Sequence, residues 1–177
     1  MSAKLTAVVA AMAMIFAVSA AQSASTARQQ QALSNAKISL TQAVSLAQEQ
    51  GGGQAISAEY DMKGAAAGEY QVKVLSSDGK KLTKYRVDPN TGQITAATNQ
   101  PFEKVFTRLK PTSIQNAPTS LTRAITAAEQ RAGGKATDAS VDRDGDQVKY
   151  TVKVAKADGT SEKVRVNGAD GKVASAR

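Results

Sequence analysis

The residues best suited to chemistry in this sequence are acids in turns and a set of cations on alternating stretches. Asp142, Asp144 and Asp146 alternate in the run Asp142-Arg143-Asp144-Gly145-Asp146, a pattern that invites a Ca²⁺ reading. An EF-hand loop starting at Asp142 needs Gly at its sixth place and Glu at its twelfth. Gln147 and Lys153 stand there, so a solvated hairpin turn is expected instead. Asp88-Pro89-Asn90-Thr91-Gly92 is also read first as a turn, because Pro presets φ and Asn and Gly accept a reversed backbone; weak cation binding is the alternative there. Glu59, Asp61 and Glu69 are candidates for a carboxylate pair in acid-base catalysis, but nothing in their spacing fixes their separation or desolvation, and surface charge is the plainer expectation. Gly51, Gly52 and Gly53 follow a helical pattern, whereas a phosphate cradle needs glycine before a helix N-terminus.

The chain of 177 residues contains no His and no Cys. The first absence removes the usual general base and the commonest transition-metal ligand; the second removes disulfides, thiol nucleophiles and the attachment residue of a lipid-anchored bacterial lipoprotein. No catalytic, cofactor-binding or metal-binding residue is assigned, and the protein is expected not to be an enzyme.

The cations are the more informative set. Lys73, Lys84 and Arg86 in one part of the chain, and Lys149, Lys153, Lys163 and Arg165 in another, occupy the polar positions of alternating apolar and polar runs. They are expected on two basic sheet faces, candidates for binding an acidic protein or envelope polymer. The competing explanation is that Lys on an open sheet merely deters edge pairing. The net charge of +8 permits either, with Lys and Arg scattered among acids rather than gathered in blocks.

Positioning these residues falls to a tandem repeat. Ser39 followed by Gln42 has the capping-box spacing, and Leu40, Ala43, Val44 and Ala47 recur at helical spacing before the Gly51–Gly53 stop. Ser120 begins the second copy, with Leu121, Ala124, Ile125 and Ala128 in the same places and Gly133-Gly134 as the stop. Arg123 stands where the first copy has Gln42, so the cap is expected to depend on Ser120 or Thr119 alone. A strand follows near residues 55–62 and 136–143. Tyr70, Val72 and Val74 then alternate with Gln71 and Lys73, as Tyr150, Val152 and Val154 do with Thr151 and Lys153. Asp78-Gly79 and Asp158-Gly159 mark hairpins leading to Tyr85 and Val87 in one copy and Val164 and Val166 in the other, and Ile94 and Val173 close the units. The expected class is α+β: two repeats of one helix on a three- to four-stranded antiparallel sheet. Units of about sixty residues have marginal cores alone, so mutual support through packing or sheet edges is expected.

Outside the repeats, Lys4 and the apolar run from Leu5 to Val18, followed by Ser19, Ala20 and Ala21, read as a secretion signal over residues 1–21 cut between 20 and 24. The run is too short to span a bilayer and polar residues follow at once, so no retained transmembrane segment is expected. A flexible leader is expected over 22–36. Residues 99–117 form the linker, where Phe102, Val105, Phe106 and Leu109 fall on one stripe between Pro101 and Pro111, the pattern of a short amphipathic helix.

The order of SLTQAVSLA, YQVKV, DG and YRVDPNTGQI, repeated as SLTRAITAAE, YTVKV, DG and VRVNGADGKV, resembles the PepSY domain family over residues 37–98 and 118–177. The resemblance implies a non-catalytic inhibitory or regulatory module, acting in trans on a secreted or periplasmic peptidase or another envelope protein. In the second copy Asn167 and Asp170 replace the Asp and Thr of the closing turn, which puts a turn-specific role there in question. A structural envelope module binding anionic polymer or lipid is the alternative function. With export expected, nucleic acid is not among the expected partners, and the location is periplasmic or secreted.

Overall fold

The structure, a computed structural model, describes residues 28–62, 68–101, 110–144 and 147–175. The expected signal peptide, the Phe102–Leu109 stripe, and Gly145 and Asp146 lie outside the described residues.

Each repeat folds from its helix outward. Helix α2 (Leu40–Gly51) starts at Ser39, whose Oγ accepts from Gln42 N at 3.2 Å while Gln42 Oε1 accepts from Ser39 N at 2.8 Å, so both halves of the expected capping box form. Its counterpart in the second repeat, α4 (Leu121–Ala132), has only the serine half, Ser120 Oγ accepting from Arg123 N. Gly52 and Gly133 end the two helices at φ 59° and 69°, left-handed positions that suit glycine. Each helix buries the apolar stripe read from the sequence: Leu40, Ala43, Val44 and Ala47 in one, Leu121, Ala124, Ile125 and Ala128 in the other.

Strands β1 (Gly53–Asp61), β2 (Glu69–Ser76), β3 (Leu82–Val87) and β4 (Ile94–Gln100) follow α2; β5 (Gly134–Asp144), β6 (Gln147–Lys156), β7 (Ser161–Asn167) and β8 (Val173–Ser175) follow α4. Tyr70, Val72, Val74, Tyr85 and Val87, and in the second repeat Tyr150, Val152, Val154, Val164 and Val166, are buried as the alternation requires. One extra residue in β1 and in β5 shifts the register between Ala55 and Ser57 and between Ala136 and Asp138. The helices satisfy the backbone beside both bulges: Gln48 Oε1 accepts from Ala55 N at 3.1 Å, and Glu129 Oε1 from Ala136 N at 2.8 Å. Gly53 and Gly134 open these strands where a Cβ would fall 2.0 Å from Leu75 O and 2.2 Å from Ala155 O, so no larger residue fits.

The two expected sheets are one. β1 pairs antiparallel with β5 through Ser57↔Ser140, Ala58↔Ala139 and Glu59↔Asp138, giving an eight-stranded sheet in the order β4-β3-β2-β1-β5-β6-β7-β8. Ala58 and Ala139 are fully buried at the centre, under α2 and α4, which touch each other over the junction. The open choice between packing and edge pairing is thus resolved as both.

Two short helices flank the repeats, the first in place of part of the expected flexible leader and the second within the expected linker. Residues 28–35 form helix α1 rather than a flexible tail, and a helix forms at Pro111–Gln115 (α3), beyond the stripe expected to be helical. Both dock across the junction onto the opposite repeat. Gln30 Nε2 donates to Lys156 O, and Lys135 Nζ to Leu33 O at 3.5 Å; reciprocally, Gln115 Nε2 donates to Ser77 O at 2.8 Å, and Gln54 Nε2 to Gln115 O at 3.3 Å. Each helix buries one aliphatic residue, Leu33 at 4% exposure and Ile114 at 2%. Leu33-Ser34-Asn35-Ala36 and Ile114-Gln115-Asn116-Ala117 stand at the same distance before Ser39 and Ser120, so the repeat begins earlier than its first capped helix.

Burial of Leu33 and Ile114 implies that truncating either to Ala lowers stability by about 2–4 kcal/mol, measured by chemical denaturation. A loss below about 0.5 kcal/mol for Leu33→Ala, the size expected of a surface change, would mean that residues 28–35 are not docked in solution.

Candidate functional site

The turns that invited metal readings are occupied by their own backbone. Asp88 Oδ1 accepts from Asn90 N at 2.8 Å and Thr91 N at 2.9 Å, and these bonds hold the carboxylate below its ordinary pKa. The turn also holds the helix entry, because Pro89 O accepts from Lys37 N and Ile38 N at 2.9 and 3.1 Å. In the second repeat Asn167 Oδ1 accepts from Ala169 N at 2.8 Å, Asp170 Oδ1 from Lys172 N at 3.0 Å, and Gly168 O from Thr119 N at 3.0 Å. The two substitutions therefore keep the same turn and the same task. Tyr70 Oη completes this clamp by donating to Ile38 O at 2.7 Å, and Tyr150 Oη by donating to Thr119 O. Burial raises both phenols, Tyr150 to about 12, so they remain neutral donors.

Cavities of about 300 and 430 Å³ lie beside α1 and one of about 340 Å³ beside α3. The one carboxylate lining them, Glu129, shares the 300 Å³ cavity with Lys37, Tyr70 and Lys135 but is already bonded to the β5 backbone, as Tyr70 is to Ile38 O. Among the described residues no group of three or more His, Cys, Asp or Glu is placed to hold a metal ion.

What remains is the sheet face turned away from α2 and α4. The strand registers put all seven candidate cations on it: Lys73, Lys84 and Arg86 from the first repeat, Lys149, Lys153, Lys163 and Arg165 from the second. The expectation of two basic faces is corrected, because β1–β5 pairing merges them and places acids between them. Ser57 and Glu59 of β1 face Ser140 and Asp138 of β5, with Asp61 and Asp142 farther along the same two strands. Glu59, Asp61 and Glu69, considered as a catalytic pair, are parts of this charged surface. The face is banded: cations, a central acidic strip, cations.

The two bands differ in how they are held. In the first repeat Gln71, buried despite its outward position, donates Nε2 to Asp61 Oδ2 at 2.7 Å and Glu69 Oε1 at 3.0 Å, and accepts from Lys84 Nζ at 3.2 Å. Arg86 Nε lies 3.4 Å from Glu69. Thr151 replaces Gln71 opposite Arg165 in the second repeat, so this network has no counterpart there. Sequence alternation located the cations but not Gln71, whose only signal was an amide flanked by tyrosine and valine.

The family described as "Peptidase propeptide and YPEB domain" matches residues 37–98 and again 119–177, more than half of the chain. The chain belongs to the PepSY family. Both repeats are PepSY units, and members of the family are generally non-catalytic. No curated protein matches the sequence. A crystal structure of a candidate lipoprotein from Clostridium difficile 630 is similar at 17% identity and TM-score 0.45, over 79% of this chain and 92% of that one. The YpmB protein from Bacillus subtilis is similar at 13% identity and TM-score 0.30, over 75% and 91%. Likeness at this level carries no functional argument, and the PepSY assignment rests on the two family segments. Among the described residues no helix is long and apolar enough to cross a membrane.

Glu59 and Asp138 meet as like charges directly across the strand pair joining the two PepSY units, an unfavourable cross-strand arrangement. Burial and the Glu59 charge raise the Asp138 pKa, opposed by Lys153 from β6, Lys163 from β7 and Lys73 from β2. A carboxyl with a raised folded-state pKa binds more protons folded than unfolded, so stability falls as pH rises from the ordinary aspartate pKa through the raised one. Asp138→Asn should therefore gain stability over wild type as pH rises through that window and show little gain below it. Melting curves at stepped pH check this, and a gain independent of pH would exclude Asp138 ionisation as its source.

Proposed function

We propose that this protein is an extracytoplasmic, non-catalytic regulator that binds a peptidase or another protein of the cell envelope and occludes part of it. The observation that carries this reading is that both repeats match a family described as a peptidase propeptide and YPEB domain. Export rests on the signal-like start, Lys4 followed by the apolar run to Val18.

The banded face fits a protein partner better than a uniform polymer. A polyanion following the sheet would gain from Lys73, Lys153, Lys163 and Arg165 but would have to pass Glu59, Asp61 and Asp142 at the centre. A folded partner can present complementary charge in bands, and such patterning favours specificity and fast association. The face is built on the paired strands of one eight-stranded sheet.

Capture from an envelope fraction followed by a peptidase assay tests the reading. A captured peptidase should lose activity as the protein is added. Reversing Lys84, Arg86, Lys163 and Arg165 to Glu should weaken capture about tenfold or more, equivalent to about 1.4 kcal/mol. Full peptidase activity in the presence of excess protein counts against inhibition. Capture that disappears at moderate salt and selects anionic polymer instead supports the structural alternative, because exposed charge is screened over about 8–10 Å.

A further inference from the structure

The sheet ends in two unequal edges. β8 is three residues long and offers little backbone to a partner, whereas β4 runs for seven, Ile94–Gln100. Long edges are commonly guarded by Lys, Pro, an outward bulge or a covering element. β4 has no charged residue and no Pro from Ile94 to Gln100, and Thr95, Ala97, Thr98 and Asn99 are exposed. Its one irregularity lies at its start, and from Ala96 to Gln100 it pairs residue by residue with Arg86 to Leu82. α2 does not cover it, since Ala97, opposite Tyr85 on the helix side, remains exposed. A regular edge strand presents alternate N–H and C=O groups outward, so among the described residues β4 is a hydrogen-bonding row without a neighbour.

Charge lies one strand inward. Lys84 is paired in register with Thr98 and Arg86 with Ala96, both on the outer face. An added strand would run about 10 Å from β3, two strand spacings away. That separation is within reach of Lys and Arg side chains across the small Ala96 and Thr98, with Lys84 and Arg86 exchanging Gln71 and Glu69 on the β2 side for the incoming acids. A second copy pairing through its own β4 would instead add another set of Lys84 and Arg86 to the same face of a protein already at +8.

We propose that β4 is a strand-addition edge that takes an extended segment of a partner protein carrying acidic side chains at alternate positions. Backbone hydrogen bonds to Ala96–Asn99 supply the pairing, and Lys84 and Arg86 select the charge pattern of the incoming segment. The inference rests on the reading above that the partner is a protein, and supplies its mode of contact.

The probe is a synthetic nonapeptide of alternating Val and Glu, followed by amide hydrogen exchange of the isotope-labelled protein. Saturating peptide should slow exchange of the outward amides within Ala96–Asn99 by about tenfold or more. Affinity should fall about tenfold in the Lys84→Gln/Arg86→Gln double variant, and binding should be lost when alternate peptide amides are N-methylated. Unchanged β4 exchange, equal binding of the N-methylated peptide, or equal binding of a Val and Lys nonapeptide each overturns the proposal. So does β4 protection without peptide in a sedimenting dimer, which assigns the edge to a second copy. A peptidase still inhibited while β4 exchange is unaffected would sink the edge and leave the regulatory reading standing; protected β4 with no peptidase affected would do the reverse.

Discussion

The pairing of β1 with β5 is the contact on which the rest of this protein depends. It is small, three residue pairs around Ala58 and Ala139, yet it lies between two units each too short for a comfortable core. A unit of about sixty residues buries only about 60% of its unfolded surface. Joining the two sheets and setting α2 beside α4 gives both helices a continuous apolar floor, and buries the two alanines completely. Small residues are needed there because two helices and two strands meet over the same spot.

The junction is reinforced by exchange. Helix α1 precedes the first unit and bonds both it, through Gln29 and Tyr60 O, and the second, while α3 precedes the second and bonds the first, with Leu33 and Ile114 as the apolar ends of the two braces. Both braces therefore tie the two units together. The same two-fold logic explains the paired clamps, in which Tyr70 and Tyr150 hold the carbonyls just before the helix caps. The units are nonetheless unequal on the open face, where Gln71 organises Asp61, Glu69 and Lys84 in one and Thr151 stands in its place in the other.

Much of this was legible because the local signals are strong and repeated. The capping box at Ser39, the Asp-Gly hairpins and the alternation of Tyr70, Val72 and Val74 each depend on neighbours within a few residues, where side-chain period and turn chemistry decide the outcome. The leader was misread for the opposite reason. Leu33 is one apolar residue among Gln, Ser and Ala, too few for a periodic pattern, and the helix that carries it is bonded to residues more than a hundred positions away, Lys135 and Lys156. The Asn-Ala pair shared by residues 35–36 and 116–117 was the available clue that the repeat starts earlier.

By itself the sequence determined the PepSY-like units, their α+β class, the absence of imidazole and thiol chemistry, and which cations share a sheet face, all through local periodicity and composition. Tertiary structure alone decided that two sheets become one, that α1 and α3 cross over, and that an acidic strip divides the basic face. Strand order and edge pairing join residues far apart in the chain, Glu59 with Asp138 among them, and no local pattern records which edge will meet which.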